Sequence, residues 1–378
     1  MKKRAEKGEK LHILLVLTGG TIGTMVAADG KRRLAAGDDV EAADGRWMNA
    51  GSEPMLIAAL RERVPELALE FSVRIPYQVL SEHMTLRHLE KLAECLRGED
   101  LTEYDGVFIT HGSDTLAYTA AFLGELMRGC PVPVFLLAAQ RPIEDTESNG
   151  VENTLAAVQL LESMTESGDI CGDAYGKAVP KCSDGNKPVS EDSSRFDAGT
   201  DRKEMKPAPV YVPYRNSDGK MYLHRAEELR QCEPGSDDFF SRGMRELTGS
   251  REVTAKMPSG RVSAGEAAEE RWNVPDISPT PDVLLLHPYV GIRYDCVSLM
   301  GIRAVLHTMY HSSTAPKELT GFLDRCGEAG VPCYILPCDP ENFHYETTAE
   351  LLEHGAIPLS GLTEESAYMR LILGENTF

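Results

Sequence analysis

The chain lacks any hydrophobic run long enough to cross a membrane. A transmembrane helix needs about 20 consecutive apolar residues, and the longest early run, Leu11 to Leu17, is far shorter. This run is also too short for the apolar core of a signal peptide, and Thr18-Gly19-Gly20 follows it instead of a cleavage site. These absences argue against a membrane partner and predict a cytoplasmic protein.

Basic residues are in the minority. The 378 residues include 39 lysines and arginines against 59 aspartates and glutamates, a formal net charge of -20. Such a surface repels phosphate backbones, which argues against a nucleic-acid partner. Hydrophobic residues make up 42% of the chain, which suits a globular protein, and the length suits two or three domains.

Paired cysteines and metal-binding clusters are missing as well. The nine cysteines, an odd number, are scattered singly, which favours reduced thiols over a disulfide framework. Cys333, Cys338 and His344 lie near one another in sequence, but their spacing matches no standard zinc pattern. We therefore predict no bound metal and no other cofactor.

Three short apolar runs are each followed by a loop of unusual composition. The runs are Leu11–Leu17, Gly106–Ile109 and Val132–Leu137. Continuously apolar runs of this length are typical of strands buried on both faces. Helical periodicity at 85–96 and 116–127 separates them, and a third helix is predicted from about Asn149. Such alternation predicts βαβ units and a parallel sheet.

The predicted fold is α/β, with a larger N-terminal domain built on a doubly wound, mostly parallel sheet and a smaller C-terminal α/β domain. We place the N-terminal domain at 1–245, a linker at 246–280 and the C-terminal domain at 281–378. Within the first domain, 162–207 is rich in Gly, Ser, Asp and Lys and poor in large apolar residues. This composition predicts an exposed, mobile insertion.

The three loops should converge on one cleft, because open parallel sheets bind ligands beyond the carboxyl ends of their strands. In the first loop, TGGTIGT, Thr21 stands beside glycines whose backbone amides could stabilise an oxyanion, or it caps a turn. In the second, THGSDT, Ser113 and Asp114 could cap a helix, polarise a water or hold an ammonium group. We interpret His111 as a packed side chain, and Arg141 of the third loop as part of a structural ion pair.

Three segments together resemble the bacterial-type L-asparaginase family, which includes asparaginases and glutaminases. They are LTGGTIGT, THGSDTLAYTAAFL, and AAQRP followed by SNGVENTLAAV. The similarity is strong over about 11–160, weak through the insertion and moderate from about Asp282. It implies a metal-independent amidohydrolase that converts L-asparagine to L-aspartate and ammonia through an acyl-enzyme on Thr21. It also implies a homodimer or homotetramer.

The resemblance further implies a set of residues around the substrate. Asp114 is expected to hold the substrate α-ammonium group, and Ser113 supplies the neighbouring hydroxyl, where family members usually carry threonine. The segment VLSEHMT resembles the family's substrate-binding segment, so Ser81 should contact the α-carboxylate. The expected catalytic residues are Thr21, Ser113 and Asp114. The expected substrate-binding set is Gly20, Ser81, Glu82, Gly112 and Ala139.

Two departures leave part of the machinery unassigned. The family carries a lysine downstream of the third loop, and one register places Arg230 there, with Lys220 as the alternative. Arginine could support charge but could not act as a base. A tyrosine that often follows the nucleophile in relatives is absent from 22–49, so the group that activates Thr21 is unassigned.

Other functions remain open as alternatives. Glutamine or another primary amide could be the substrate, because Glu82 stands where many relatives have an uncharged residue. A catalytically degenerate amino-acid-binding relative is a second alternative. A D-type amidotransferase component shares these motifs but is disfavoured, because only ten residues precede the first strand. A nucleotide-binding domain is disfavoured because the glycine loop fits neither phosphate-binding pattern.

Overall fold

The structure, a computed structural model, describes residues 10–26, 32–34, 54–66, 68–167, 209–247, 274, 277–339, 341 and 345–374. Its strands are β1 (Leu11–Leu17), β2 (Thr24–Val26), β3 (Arg32–Leu34), β4 (Leu69–Arg74), β5 (Gly106–Thr110), β6 (Val134–Leu137), β7 (Val210–Arg215), β8 (Met221–Arg225), β9 (Leu229–Arg230), β10 (Phe240–Ser241), β11 (Arg245–Glu246), β12 (Val283–Leu286), β13 (Ala304–Thr308), β14 (Cys333–Leu336) and β15 (Ile357–Pro358). Its helices are α1 (Met55–Arg63), α2 (Leu86–Arg97), α3 (Leu116–Leu126), α4 (Gly150–Ser167), α5 (Leu319–Ala329), α6 (Glu346–Glu353) and α7 (Glu364–Ile372). None of the helices in these ranges is long and apolar enough to cross a membrane.

The N-terminal domain is built on a seven-stranded sheet with the order β11-β8-β7-β6-β5-β1-β4. Five neighbouring strands of this sheet run parallel, namely β4, β1, β5, β6 and β7. At one edge, β8 pairs antiparallel with β7, and β11 pairs antiparallel with β8. The chain passes from β1 to β4 on one side and then crosses to β5 on the other. The strand order therefore reverses beside β1, and such a switch point opens a crevice at the carboxyl ends of the strands.

Apolar layers cover both faces of this sheet. On one face, Leu14 and Val16 of β1 pack with residues of α2 and α3. On the other face, Ile13 and Leu15 pack with residues of α1 and α4. Burial on both faces explains why β1 reads as a continuous apolar run. The arrangement confirms the predicted doubly wound, mostly parallel α/β domain.

The C-terminal domain has a smaller sheet with the order β12-β13-β14-β15, in which every pair is parallel. Its helix α7 packs against α3 of the first domain, where the rings of Tyr118 and Tyr368 meet edge to face at 6.0 Å between centroids. At the same contact, Arg370 donates from Nε to Glu125 Oε1 over 2.6 Å. Helix α3, which begins at the second loop, is thus held from both domains.

A helix and a strand of the first domain extend across two of the predicted segment limits. Helix α4 continues to Ser167, six residues into the segment assigned to the insertion. Leu160, Leu161 and Met164 are buried at helical spacing, and this apolar stripe carries the helix past the predicted boundary. Strand β11 pairs with β8, so Glu246, assigned to the linker, belongs to the first sheet. The remainder of the insertion, 168–207, and most of the linker lie outside the described residues.

Buried histidines predict that the fold loses stability in mild acid. Burial lowers the pKa of His111, His224 and His307 to about 4, from an ordinary value of 6.5. Between these values the unfolded chain binds more protons than the folded one, so the free energy of unfolding falls as the pH falls from 6.5 towards 4. The loss is at most about 3 kcal/mol per histidine.

Urea unfolding followed from pH 7 to pH 5 measures this effect above the range in which ordinary carboxylates titrate. The variant His224→Gln, which removes one of the three groups, should show a shallower fall in stability over the same interval. An unfolding free energy that stays constant between pH 7 and pH 5 would contradict the prediction.

Candidate active site

The first two loops begin side by side at the carboxyl ends of β1 and β5. Thr18 donates from its hydroxyl to the carbonyl oxygen of Thr110 over 2.5 Å. In return, the amide of Thr18 donates to the hydroxyl oxygen of Thr110 over 3.2 Å. Both threonines are buried, so these bonds fix the two loops relative to each other at the switch point of the sheet.

Glycines allow the first loop to touch the second. Gly19 and Gly20 have φ angles of 105° and 76°, a region that glycine adopts without the cost of a side chain. A Cβ atom on Gly20 would lie 2.1 Å from the backbone nitrogen of Gly112. The amide of Gly20 donates to the carbonyl of Val79 over 3.2 Å. Gly20 therefore contributes close approach of the backbones, and its own amide does not face the cleft.

Thr21 follows directly at this contact. It opens a 3-10 turn, Thr21–Gly23, so its backbone lies one residue from the point where Gly20 meets Gly112. The side chain of Thr21 lies outside the described part of the chain. The backbones of the loops that carry Thr21 and Ser113 are therefore in contact.

The second loop holds a carboxylate in direct contact with a hydroxyl of the turn Ser81–His83. Ser81 donates from Oγ to Asp114 Oδ2 over 2.9 Å, and the Asp114 amide donates back to Ser81 Oγ over 3.3 Å. The Thr115 hydroxyl donates to the Ser81 carbonyl over 3.1 Å. A Cβ atom on Gly112 would lie 2.4 Å from Ser81 Oγ, so the glycine makes room for this pair. Ser81 and Asp114, both predicted from the sequence, form one unit.

The remaining residues of this region differ in exposure. Asp114 is exposed and Ser113 is half-buried in the 3-10 turn Ser113–Thr115. Glu82 is exposed in the neighbouring turn Ser81–His83. A carboxylate at the surface of the cleft is available to a charged ligand, whereas one in the core would need an internal partner.

His111 is enclosed by protein partners. It is buried, its Nδ1 donates to the carbonyl of Gly112 over 2.7 Å, and its Nε2 lies 2.8 Å from the hydroxyl of Thr119. Since the carbonyl can only accept, Nδ1 carries the proton and Nε2 accepts from Thr119. Burial lowers the pKa of His111 to about 4, so the ring is neutral at neutral pH. It serves as a packed support for the second loop.

The third loop closes the site from the side of β6. Ala139 is buried, and a Cβ atom on Gly150 would lie 3.0 Å from its Cβ and 3.4 Å from Ile22 Cγ1. The buried Asn149 accepts from the amide of Gln140 over 3.0 Å. The start of α4 thereby packs against both the first and the third loop.

The cationic residues considered from the sequence lie at the surface. Arg141 forms ion pairs with Asp145 and Glu147. Lys220 precedes β8 and pairs with Glu246 over 2.8 Å, with half of its side chain exposed. Arg230 is exposed in β9.

Gln231, which the sequence did not single out, is the residue of the β9 segment that contacts the second loop. Its Nε2 donates to the Ser113 carbonyl over 2.8 Å. A lone glutamine beside an arginine has no distinctive pattern, so no sequence signal pointed to this contact.

The described residues contain no group of three or more His, Cys, Asp or Glu side chains that could hold a metal ion. Cys333 and Cys338, two members of the sequence cluster, are buried thiols of the C-terminal domain. The third member, His344, lies outside the described residues.

Two solved structures that share this architecture are L-asparaginases. The thermostable L-asparaginase from Thermococcus kodakarensis superposes with a TM-score of 0.64 over 97% of this chain and 94% of its own length, at 18% sequence identity. L-asparaginase I from Vibrio cholerae gives a TM-score of 0.61 over 98% of this chain and 94% of its own length, at 22% identity. At these identities the likeness establishes the fold.

Curated relatives carry a different name, the D component of glutamyl-tRNA(Gln) amidotransferase. The protein of this name from Thermococcus kodakarensis is 25% identical over 321 residues, 82% of this chain and 64% of the relative. This chain therefore spans just under two thirds of that relative. The protein of the same name from Methanothermobacter thermautotrophicus is 24% identical over an alignment of 392 positions, gaps included. This alignment covers 98% of this chain and 74% of the relative.

The part of the chain that contains the site also matches a family model. Residues 12–171, which contain the three loops and the Ser81–Asp114 pair, match the model described as Asparaginase, N-terminal. The predicted resemblance is thereby confirmed by the sequence model and by the shared architecture. Residues 12–171 are thus similar to the N-terminal domain of asparaginases, and the chain has the fold of these two L-asparaginases.

Proposed function

We propose that this protein hydrolyses the side-chain amide of L-asparagine to L-aspartate and ammonia, with Thr21 as the nucleophile. The observation that supports this most directly is the contact of Gly20 with Gly112, which brings the Thr21 turn against the Ser81–Asp114 pair. A nucleophile beside a carboxylate that can bind an ammonium group suits an amino-acid amide better than a phosphate or a nucleotide.

The proposed reaction has two balanced steps. The hydroxyl oxygen of Thr21 attacks the amide carbon, the C–N bond breaks, and ammonia leaves with the hydroxyl proton, so an ester remains on Thr21. Water then attacks the ester carbon and the C–O bond to Thr21 breaks. The carboxylic acid of aspartate leaves, and a proton returns to the Thr21 oxygen. In the second step, the hydroxyl of Ser113 is proposed to position the attacking water.

Asp114 and Ser81 are proposed to bind the amino-acid end of the substrate. Asp114 accepts one side-chain hydrogen bond from Ser81, and a carboxylate has further lone pairs for the α-ammonium group. Ser81 is proposed to turn its hydroxyl towards the α-carboxylate. Gly20, Glu82, Gly112 and Ala139 are proposed to shape the rest of the binding site.

Asp114→Asn is expected to raise KM for asparagine about 10- to 100-fold, because a hydrogen bond to a charged group contributes about 1.5–3 kcal/mol. The amide keeps the shape of the side chain and can still accept from Ser81, but it loses the charge that attracts an ammonium group. Ammonia release at a series of asparagine concentrations measures this change.

A matched control for Asp114→Asn is Asp295→Asn, which removes a surface carboxylate paired with Arg293 in the C-terminal domain. This control should leave KM unchanged. An unaltered KM in Asp114→Asn, with wild-type activity present, would contradict the assignment of Asp114 to the ammonium group.

Glutamine or another primary amide is the alternative substrate. Glu82 places a second exposed carboxylate next to Ser81. That charge could strengthen binding of an ammonium group or repel an aspartate product. A comparison of kcat/KM for asparagine and glutamine decides between the two amino acids.

A second candidate function is ammonia supply within a glutamyl-tRNA(Gln) amidotransferase, which the names of the curated relatives favour. In that case the partner is a different protein, whereas the first proposal implies a cytoplasmic homodimer or homotetramer. Release of free ammonia by the purified chain alone supports hydrolysis. Release only after a partner protein is added supports the second candidate. Aspartate binding by calorimetry with no ammonia released would support a degenerate, non-catalytic relative.

A further inference from the structure

The segment that follows β9 runs along helix α3 towards the second loop. Leu229 is buried, whereas Arg230 is exposed and lies opposite Phe240 of β10, which is also exposed. Burial raises the pKa of Glu364 above its ordinary value, and the positive charge of Arg230 is one of the weaker influences that oppose this rise. Arg230, which the sequence register aligns with the family lysine, thus interacts with the C-terminal domain.

The next residue, Gln231, contacts the site. Its side-chain Nε2 donates to the carbonyl of Ser113 over 2.8 Å, and its Oε1 accepts from the amide of Ala117 over 3.3 Å. One amide group therefore spans the turn Ser113–Thr115 and the first turn of α3, where helix amides otherwise lack partners. Both bonds need the donor and the acceptor of a carboxamide in this orientation.

Gln231 is itself held by the other domain. Its backbone amide donates to Oε1 of Glu365 over 2.7 Å. Glu365 is only 6% exposed and lies in the first turn of α7. A chain of hydrogen bonds thus runs from Glu365 through Gln231 to the carbonyl of Ser113, the residue immediately before Asp114.

We propose that Gln231 is a positioning residue for the substrate-binding turn, a neutral clamp that acts by geometry and is held by Glu365 of the C-terminal domain. This inference rests on the proposed function, because it assigns Gln231 to the site that binds the amino-acid end of the substrate. The clamp fixes the peptide between Ser113 and Asp114. A displacement of about 1 Å in a binding group can change activity by about 100-fold.

Gln231→Met tests the clamp, since methionine has similar length and packs in the same space but makes neither hydrogen bond. KM for asparagine should rise about 10-fold or more, with a smaller change in kcat, because the turn holds the ammonium-binding carboxylate. The matched control is Gln159→Met, which alters an exposed glutamine on α4 and should leave both constants unchanged.

Two variants of Glu365 test how Gln231 is held. Glu365→Gln keeps an oxygen that can accept from the Gln231 amide, and KM should stay within about 2-fold of wild type. Glu365→Ala removes that acceptor, and KM should rise as it does in Gln231→Met. A rise in KM for Glu365→Gln as large as for Glu365→Ala would show that charge, rather than positioning, decides the effect.

Hydrogen exchange of the peptide covering 113–119 gives a readout that does not need activity. It should be faster in Gln231→Met than in wild type and unchanged in Gln159→Met. If wild-type protein neither releases ammonia nor binds aspartate by calorimetry, the proposed function fails. If wild type is active and Gln231→Met has the wild-type KM and exchange rate, only the positioning proposal is overturned.

Discussion

Replacing Thr21 with alanine is expected to reduce kcat for ammonia release by about 1000-fold or more, because the proposed acyl-enzyme cannot form without its hydroxyl oxygen. KM for asparagine should change much less, since Ser81 and Asp114, which are proposed to bind the amino-acid end, are untouched. Steady-state ammonia release measures both constants. Mass spectrometry of acid-quenched wild-type enzyme with asparagine should show an aspartyl adduct on the peptide that contains Thr21.

Two further threonine variants separate the nucleophile from the loop that carries it. Thr21→Ser keeps a hydroxyl and should retain part of the activity, with the adduct still present. Thr24→Ala alters another threonine three residues further along the loop and should keep a kcat close to wild type. Full activity in Thr21→Ala would remove Thr21 from the mechanism, and loss of activity in Thr24→Ala alone would move the assignment along the loop.

The convergence of distant loops could be predicted from the sequence because a parallel sheet imposes it. The apolar runs that became β1, β5 and β6 are buried on both faces, so their composition alone identified them as interior strands. Parallel strands place their carboxyl ends at one edge, and the loops at 18–24, 110–115 and 138–142 meet there. The assignment of Ser81 and Asp114 to one site came instead from the family resemblance, and their hydrogen bond emerged only from the structure, since no local pattern connects two residues 33 positions apart.

Edge strands carry a weaker signal. Strand β4, which completes the sheet beside β1, was not among the predicted strands. It alternates Leu69, Phe71 and Val73 with polar residues, and its side chains are mostly half-buried, so it lacks the continuous apolar run of its neighbours. Strict alternation over six residues is itself the pattern of a half-buried strand, and it differs from the continuous apolar runs that identify β1, β5 and β6.

The position of Gln231 depends on packing that no local sequence pattern predicts. One sequence register placed Arg230 at the position of the family lysine, and the next residue, Gln231, is the one that donates to the Ser113 carbonyl. In the pairing of β9 with β10, Leu229 is buried, whereas Arg230 lies opposite Phe240 and is exposed. A shift of one residue in a strand exchanges the faces of every side chain, so sequence register alone does not decide which of two neighbouring residues reaches a site.

Gly20→Ala should be the most damaging small substitution in the site. A Cβ atom there would lie 2.1 Å from the Gly112 nitrogen and 2.3 Å from the carbonyl carbon of His111, both backbone atoms. The φ angle of 76° is also unfavourable for alanine, at a cost of about 1–2 kcal/mol. We expect a loss of roughly 3 kcal/mol in the free energy of unfolding. We also expect a fall of about 100-fold in kcat/KM, because the two loops must move apart.

Gly23→Ala is the matched control for Gly20→Ala, in the same loop and three residues away. A Cβ atom on Gly23 would have no heavy atom within 4 Å, so alanine should fit without moving either loop. Its stability should stay within about 0.5 kcal/mol of wild type. Chemical unfolding and ammonia release of both variants test whether contact between the two loops is what the glycine at position 20 provides. If Gly20→Ala matched Gly23→Ala in stability and in kcat/KM, the close approach of Gly20 to Gly112 could not be what holds the Thr21 turn against the second loop.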